Sequence, residues 1–140
     1  EIKSFNVKDG HGIKLLMRSG IEAGIITARQ SKAVEVRAQE LGIRIVYQGR
    51  KDKLEAFEEI LNKKSLKPEE TAYVGDDVVD LPVLRRAGFS AAVSDAVGEV
   101  KNAVDYVTIN KGGRGAVREV IELILRAQGK WDEVMKRYLL

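Results

Sequence analysis

Cysteine is absent from this 140-residue sequence, which excludes disulfides and thiolate chemistry and fits a reducing compartment. The one histidine, His11, reads as a surface loop residue. No apolar run approaches the roughly 20 residues of a membrane span, and no signal peptide opens the chain, so a soluble cytoplasmic protein with no membrane partner is expected. A block of basic residues interleaved with aromatics is also missing. With a net charge of only +3 and mixed signs along the chain, nucleic-acid binding is not expected. There is no internal repeat, low-complexity tract or linker. The chain opens on Glu1 rather than methionine, and we expect further sequence upstream.

What is present suits a single domain over residues 1–140, because 44% hydrophobic residues supply a core and 32% charged residues cover it. Alternation over 2–7 predicts a strand, with Asp9 capping a following helix that stops at Gly20. Residues 21–26 form an apolar run read as a buried strand. Ser31 caps a helix ending before Gly42, and 43–47 is a further strand. A helix over 51–62 carries Leu54, Phe57 and Leu61 inward. Residues 71–75, 89–93 and 105–109 read as strands, 81–87 and 97–103 as short helices. Val117, Val120, Ile121, Ile124 and Leu125 follow helical spacing closely. A tail over 130–140 aligns Trp131, Val134, Met135, Tyr138 and Leu139 in one stripe. Alternating strands and helices with short connections, and strands apolar throughout, predict an α/β fold with a parallel sheet covered on both faces.

The stretch Tyr73-Val74-Gly75-Asp76-Asp77-Val78-Val79-Asp80-Leu81-Pro82 places three carboxylates just past a strand, where open α/β sheets build their sites. Such a cluster suits a hard cation such as Mg²⁺. Thr27, Lys53 and the glycine-rich turn near Arg114 also stand at strand ends. A hydroxyl, an ammonium and a metal-binding carboxylate converging on one edge make a phosphate site. Each residue also has a plainer reading. Thr27 and Asp76-Asp77 could cap turns, Lys53 could be a solvated charge, and Gly-Gly-Arg-Gly could be only a turn.

Their order decides between these readings. Ile25-Ile26-Thr27-Ala28-Arg29, Lys53, Gly75-Asp76-Asp77-Val78-Val79-Asp80 and Gly112-Gly113-Arg114-Gly115-Ala116-Val117-Arg118-Glu119 resemble, in sequence, the later motifs of the haloacid dehalogenase superfamily. With Ser4-Phe5-Asn6-Val7-Lys8-Asp9-Gly10-His11-Gly12-Ile13 the chain resembles the capless 3-deoxy-D-manno-octulosonate (KDO) 8-phosphate phosphatases over about residues 2–122. Close relatives of that branch act on phosphorylated nonulosonates of the sialic-acid type.

The resemblance implies a Rossmann-like, doubly wound parallel sheet without a cap domain, and a phosphorylated sugar acid as substrate. It implies Asp76 as a Mg²⁺ ligand, with Asp77 and Asp80 supporting the metal waters or the lysine. Thr27 and Lys53 would contact the phosphoryl group, and Arg29, Arg50 and Arg114 are candidates for the sugar-acid carboxylate. It also implies a homotetramer. The superfamily's attacking Asp-x-Asp motif is absent from the sequence. We expect it on an upstream strand, without which the sheet would have an apolar gap and the chain alone would be inactive. A non-catalytic fragment or inactive paralogue is the rival reading. A phosphoacceptor signalling domain does not account for the Gly-Gly-Arg-Gly-Ala-Val-Arg-Glu stretch. A nucleotide-binding Rossmann domain lacks its Gly-x-Gly-x-x-Gly turn.

Overall fold

The computed structural model describes residues 3–140. Five short strands alternate with helices, and every strand pair is parallel. β1 (Gly24–Ile26) pairs with β2 (Ile45–Tyr47), setting Ile25 against Val46. β3 (Ala72–Gly75), β4 (Phe89–Ala92) and β5 (Tyr106–Val107) form a second sheet in that order, setting Val74 against Ala91 and Ala92 against Val107. The helices are α1 (Val7–Arg18), α2 (Lys32–Leu41), α3 (Lys53–Lys64), α4 (Leu81–Leu84), α5 (Gly98–Lys101), α6 (Ala116–Ala127) and α7 (Trp131–Met135).

The α/β class is the expected one, but the sheet comes in two pieces. Among the described residues no ladder joins β1 to β3. Both strands instead line an apolar cavity of about 800 Å³, together with Phe57 of α3 and Ile121 of α6.

One expected strand is wrong. Residues 3–6 are irregular and Val7 already begins α1, while Ile2 lies outside the described residues. A six-residue alternation is too short to separate strand from helix, and the cap decides it. Asn6 Oδ1 accepts the Asp9 N–H at 3.0 Å, so Asn6, not Asp9, caps α1. Gly10 and Gly12 lie within the helix. Their small size is used in packing, since a Cβ on Gly12 would lie 2.8 Å from Arg118 Cδ.

Other boundaries shift by a residue or more. α3 begins at Lys53, capped by Asp52, whose carboxylate accepts Glu55 N–H at 3.0 Å. Ser31 caps α2 and Gly42 ends it, as expected. The expected strand 105–109 shortens to Tyr106–Val107. α6 buries Val120, Ile121 and Leu125, and Leu15 and Leu16 of α1 pack on it. Trp131, Val134 and Met135 of the tail join that cluster and Tyr138 meets His11 and Arg18 of α1, but Leu139 is 79% exposed and leaves the stripe. On the other side of the cavity, Phe57 and Leu61 of α3 pack with Val83 of α4, and Ile26 and Tyr73 lean on the same cluster.

Candidate active site

β3 delivers the chain to Gly75, and the next residues turn back sharply. Asp76 and Asp77 are followed by a 3₁₀ turn, Val78–Asp80, that swings Asp80 under the strand end. Asp80 is only 2% exposed. Its Oδ1 accepts from Lys53 Nζ at 2.8 Å and from Tyr73 Oη at 3.1 Å. Its Oδ2 accepts from the N–H groups of Asp76 at 3.0 Å and Asp77 at 3.3 Å. The return requires glycine at 75, since a Cβ there would lie 2.7 Å from Asp80 Cβ.

The charges are divided unevenly. Burial alone would raise the Asp80 pKa, but the Lys53 ammonium and the two backbone N–H groups hold it below the ordinary carboxylate value. Asp76 moves the other way, raised by partial burial and by the neighbouring Asp80 carboxylate. The Tyr73 phenol is also raised, by burial first and Asp80 second. Lys53 thus neutralises Asp80, and the exposed Asp76 and Asp77 carboxylates form no ion pair among the described residues.

That excess of negative oxygen ligands fits a divalent cation. Among the described residues no three carboxylate or histidine groups form a closed metal cage. Mg²⁺ suits this arrangement, because it is held through one or two carboxylates and keeps several waters. Asp77 also caps its own turn through the Val78 N–H at 2.7 Å, so its plainer reading holds as well.

Lys53, Asp76, Asp77 and Asp80 are therefore brought together. Thr27 stands at the carboxyl end of β1, one residue past Ile26, which shares a hydrophobic cluster with Tyr73. Its hydroxyl accepts the Arg29 N–H at 3.2 Å, and its carbonyl accepts the Arg50 N–H at 3.0 Å.

The three arginines differ. Arg50 is held by Glu59 at 2.9 Å and Glu55 at 3.2 Å and lies over the Tyr47 ring. Arg29 and Arg114 are exposed and make no ion pair among the described residues. Arg114 does not meet the Asp76 cluster. It lies in the loop after β5, and β5 is two strands from β3. There it lines a recess with Lys8, Asn110 and Arg118.

Sequence reasoning missed the contacts that four residues make. Tyr73, two positions before Gly75 on β3, supplies a phenol to Asp80. Asp9 caps α6 rather than its own helix, accepting from Gly115 N–H at 3.2 Å and Arg118 N–H at 2.9 Å. Asp95 accepts the Gly112 N–H at 2.8 Å. Glu119 accepts from Tyr106 and from the backbone of Ile109 and Asn110. No local pattern announces these long-range carboxylate-to-backbone contacts.

Known proteins resemble this chain in sequence and fold. Residues 26–121 match the haloacid dehalogenase-like hydrolase family. The chain is 53% identical over 133 residues to the 3-deoxy-D-manno-octulosonate 8-phosphate phosphatase of Escherichia coli K12, covering 95% of this chain and 71% of that protein. The crystal structure of the corresponding Yersinia pestis phosphatase superposes with a TM-score of 0.92 at 50% identity, covering 94% of this chain and 71% of the other. The Moraxella catarrhalis phosphatase, solved with magnesium, phosphate and KDO, superposes with a TM-score of 0.96 at 43% identity, over 99% of this chain and 79% of the other.

Proposed function

The chain belongs to the haloacid dehalogenase-like hydrolase family, on its KDO 8-phosphate phosphatase branch, and from that membership we propose that it serves a Mg²⁺-dependent phosphatase releasing phosphate from KDO 8-phosphate. The observation that carries this reading is the Lys53–Asp80 pair set beside the unpaired Asp76 and Asp77 carboxylates at a strand end.

In this reading Asp76, with Asp77 beside it, holds the cation. When bound, Mg²⁺ supplies positive charge against the phosphoryl oxygens. Lys53 offsets phosphate charge, and Asp80 fixes where its ammonium sits. The Thr27 hydroxyl donates to a phosphoryl oxygen. Arg29 and Arg114 are free to meet a carboxylate, whereas Arg50 supports the turn after β2 through Glu55 and Glu59.

The sequence has no Asp-x-Asp. We assign the attacking and protonating carboxylates to an extended strand seated between β1 and β3, whether on the same polypeptide or another. The cavity supports this: it is apolar and lined by both strands, up to Ile26 and Val74 near the ends that lead to Thr27 and Asp76. A strand of about five residues would span it. A cytoplasmic homotetramer completes the reading, supported by the lack of cysteine and by exposed Val7, Ile109 and Leu139.

Phosphate release from KDO 8-phosphate, with Mg²⁺ or with EDTA, tests the proposal. The chain is assayed alone and with an apolar strand ending in Asp-x-Asp. Turnover is expected only with both the strand and Mg²⁺. No release from KDO 8-phosphate, a nonulosonate 9-phosphate or other phosphosugars with the strand present would sink it. Mg²⁺-dependent phosphate binding without release under any condition would favour the non-catalytic reading, which the missing Asp-x-Asp motivates.

A further inference from the structure

The loop joining β5 to α6 is held by three carboxylates that come from three places in the chain. Asp95, after β4, accepts the Gly112 N–H at 2.8 Å. Asp9, from α1, accepts the Gly115 and Arg118 N–H groups at 3.2 and 2.9 Å. Glu119, from the first turn of α6, reaches back over the loop. It accepts from Ile109 N–H at 2.9 Å, Asn110 N–H at 3.0 Å and Asn110 Nδ2 at 2.9 Å, and from the Tyr106 hydroxyl.

The loop backbone is awkward without such support. Gly113 and Gly115 both take positive φ, +70° and +103°. A loop with two left-handed residues and two ends fixed by carboxylates has one shape. The four hydrogen bonds to Glu119 outweigh its burial and hold its pKa below the ordinary glutamate value.

All three carboxylates hydrogen-bond backbone N–H groups; Asp95 also feels the charge of Lys111, and none of the three makes an ion pair with Arg114 among the described residues. Arg114 is left exposed with no ion pair among the described residues, although Asp9, Asp95 and Glu119 all hold the same loop. Arg118, one turn on, is engaged by Glu122 at 2.8 Å. The acidic residues therefore preserve a free guanidinium instead of neutralising it. Charge-assisted hydrogen bonds to backbone donors are strong enough to set a loop.

We propose that Glu119 is a positioning residue: with Asp9 and Asp95 it locks loop 109–115 so that Arg114 presents an unpaired guanidinium to the carboxylate of a sugar acid. The inference rests on the sugar-acid reading for its ligand, but the locking itself does not.

Two measurements separate these parts. The first is amide hydrogen exchange of the full chain. Glu119→Ala and Glu119→Gln should each speed exchange at Ile109 and Asn110 by about tenfold or more, with α1 and β4 unchanged. Arg114→Ala should leave exchange in the loop unchanged. The second is calorimetric titration with free KDO, and separately with inorganic phosphate, both with Mg²⁺. Arg114→Ala and Glu119→Ala should each weaken KDO binding by about tenfold, leave phosphate binding intact, and show no further loss when combined. Unchanged loop exchange in Glu119→Ala overturns the locking. Unchanged KDO affinity in Glu119→Ala, where the parent chain binds KDO, overturns its positioning role. A parent chain that binds phosphate but not KDO overturns the sugar-acid role of Arg114 and leaves the phosphate site standing.

Discussion

Asp80→Ala should be among the most destabilising single changes in this chain. Asp80 is 2% exposed, and the Lys53 side chain it receives is only 12% exposed. Removing the carboxylate leaves a nearly buried ammonium without its counter-charge, which costs about 3–5 kcal/mol for a buried pair. Lys53 sits at the mouth of the site, so the lower end applies to that term. The Tyr73 hydroxyl also loses its acceptor, adding about 1 kcal/mol. The Asp76 and Asp77 N–H groups lie at the exposed end of the turn, where water replaces the lost acceptor. The sum is about 4 kcal/mol, a large part of the roughly 5–15 kcal/mol that holds a domain of this size together. At about 3 °C per kcal/mol, Tm should fall by about 12 °C. Asp80→Asn keeps the shape and one acceptor oxygen, and should cost about half as much. The assay is thermal and urea unfolding in EDTA, so that no cation contributes. Lys53→Met is measured alone and combined with Asp80→Ala, and the coupling should be about 2 kcal/mol. An Asp80→Ala chain within 1 kcal/mol of the parent, or a coupling near zero, would refute the ion-pair argument.

Mg²⁺ at about 100 times its Kd should stabilise the parent chain by about 2.7 kcal/mol, and Asp76→Asn should abolish that gain in a thermal-shift titration while leaving the metal-free chain no less stable. Because the folded-state pKa of Glu119 is depressed, its contribution is fully present above its ordinary value of 4.5 and is lost as pH falls through the depressed value. Unfolding measured across that acid range should therefore be flatter for Glu119→Gln than for the parent. Gly88→Ala should destabilise by about 1–3 kcal/mol in urea, because its Cβ meets the Glu69 backbone, whereas Gly98→Ala, facing open space, should change stability little.

The acid cluster and the capping residues Ser31 and Gly42 could be read from sequence because their signals are local, a strand, a glycine and a fixed spacing, whereas Lys53 is singled out only by the order of the motifs. The start of α1 could not, because Phe5 and Val7 alternate like a strand while Asn6 makes the capping bond. Asp9 was read as a cap and is one, but of a helix more than 100 residues away, a contact no local pattern encodes. Arg50 looked equivalent to Arg114 by residue type; only the fold shows that two glutamates already hold it.

The short strands follow from the divided sheet. The apolar run 21–26 predicts a six-residue strand buried on both faces, yet only Gly24–Ile26 is extended, and Ile25 and Ile26 are half-buried. A parallel strand is stabilised by ladders on both edges and by side chains covering both faces. β1 has a ladder on one edge, to β2; β3 likewise has one, to β4. Their other edges line the same apolar cavity, so the residues at each strand's start have no partner to hold them extended. Seating a parallel strand there should lengthen both neighbours toward their amino ends. Amide exchange would then slow at Ala23 and Ala72, before the effect reaches β5 at the far side of the second sheet. If protection rose uniformly instead, the strand would be acting through general compaction, and the slot would not be a sheet position.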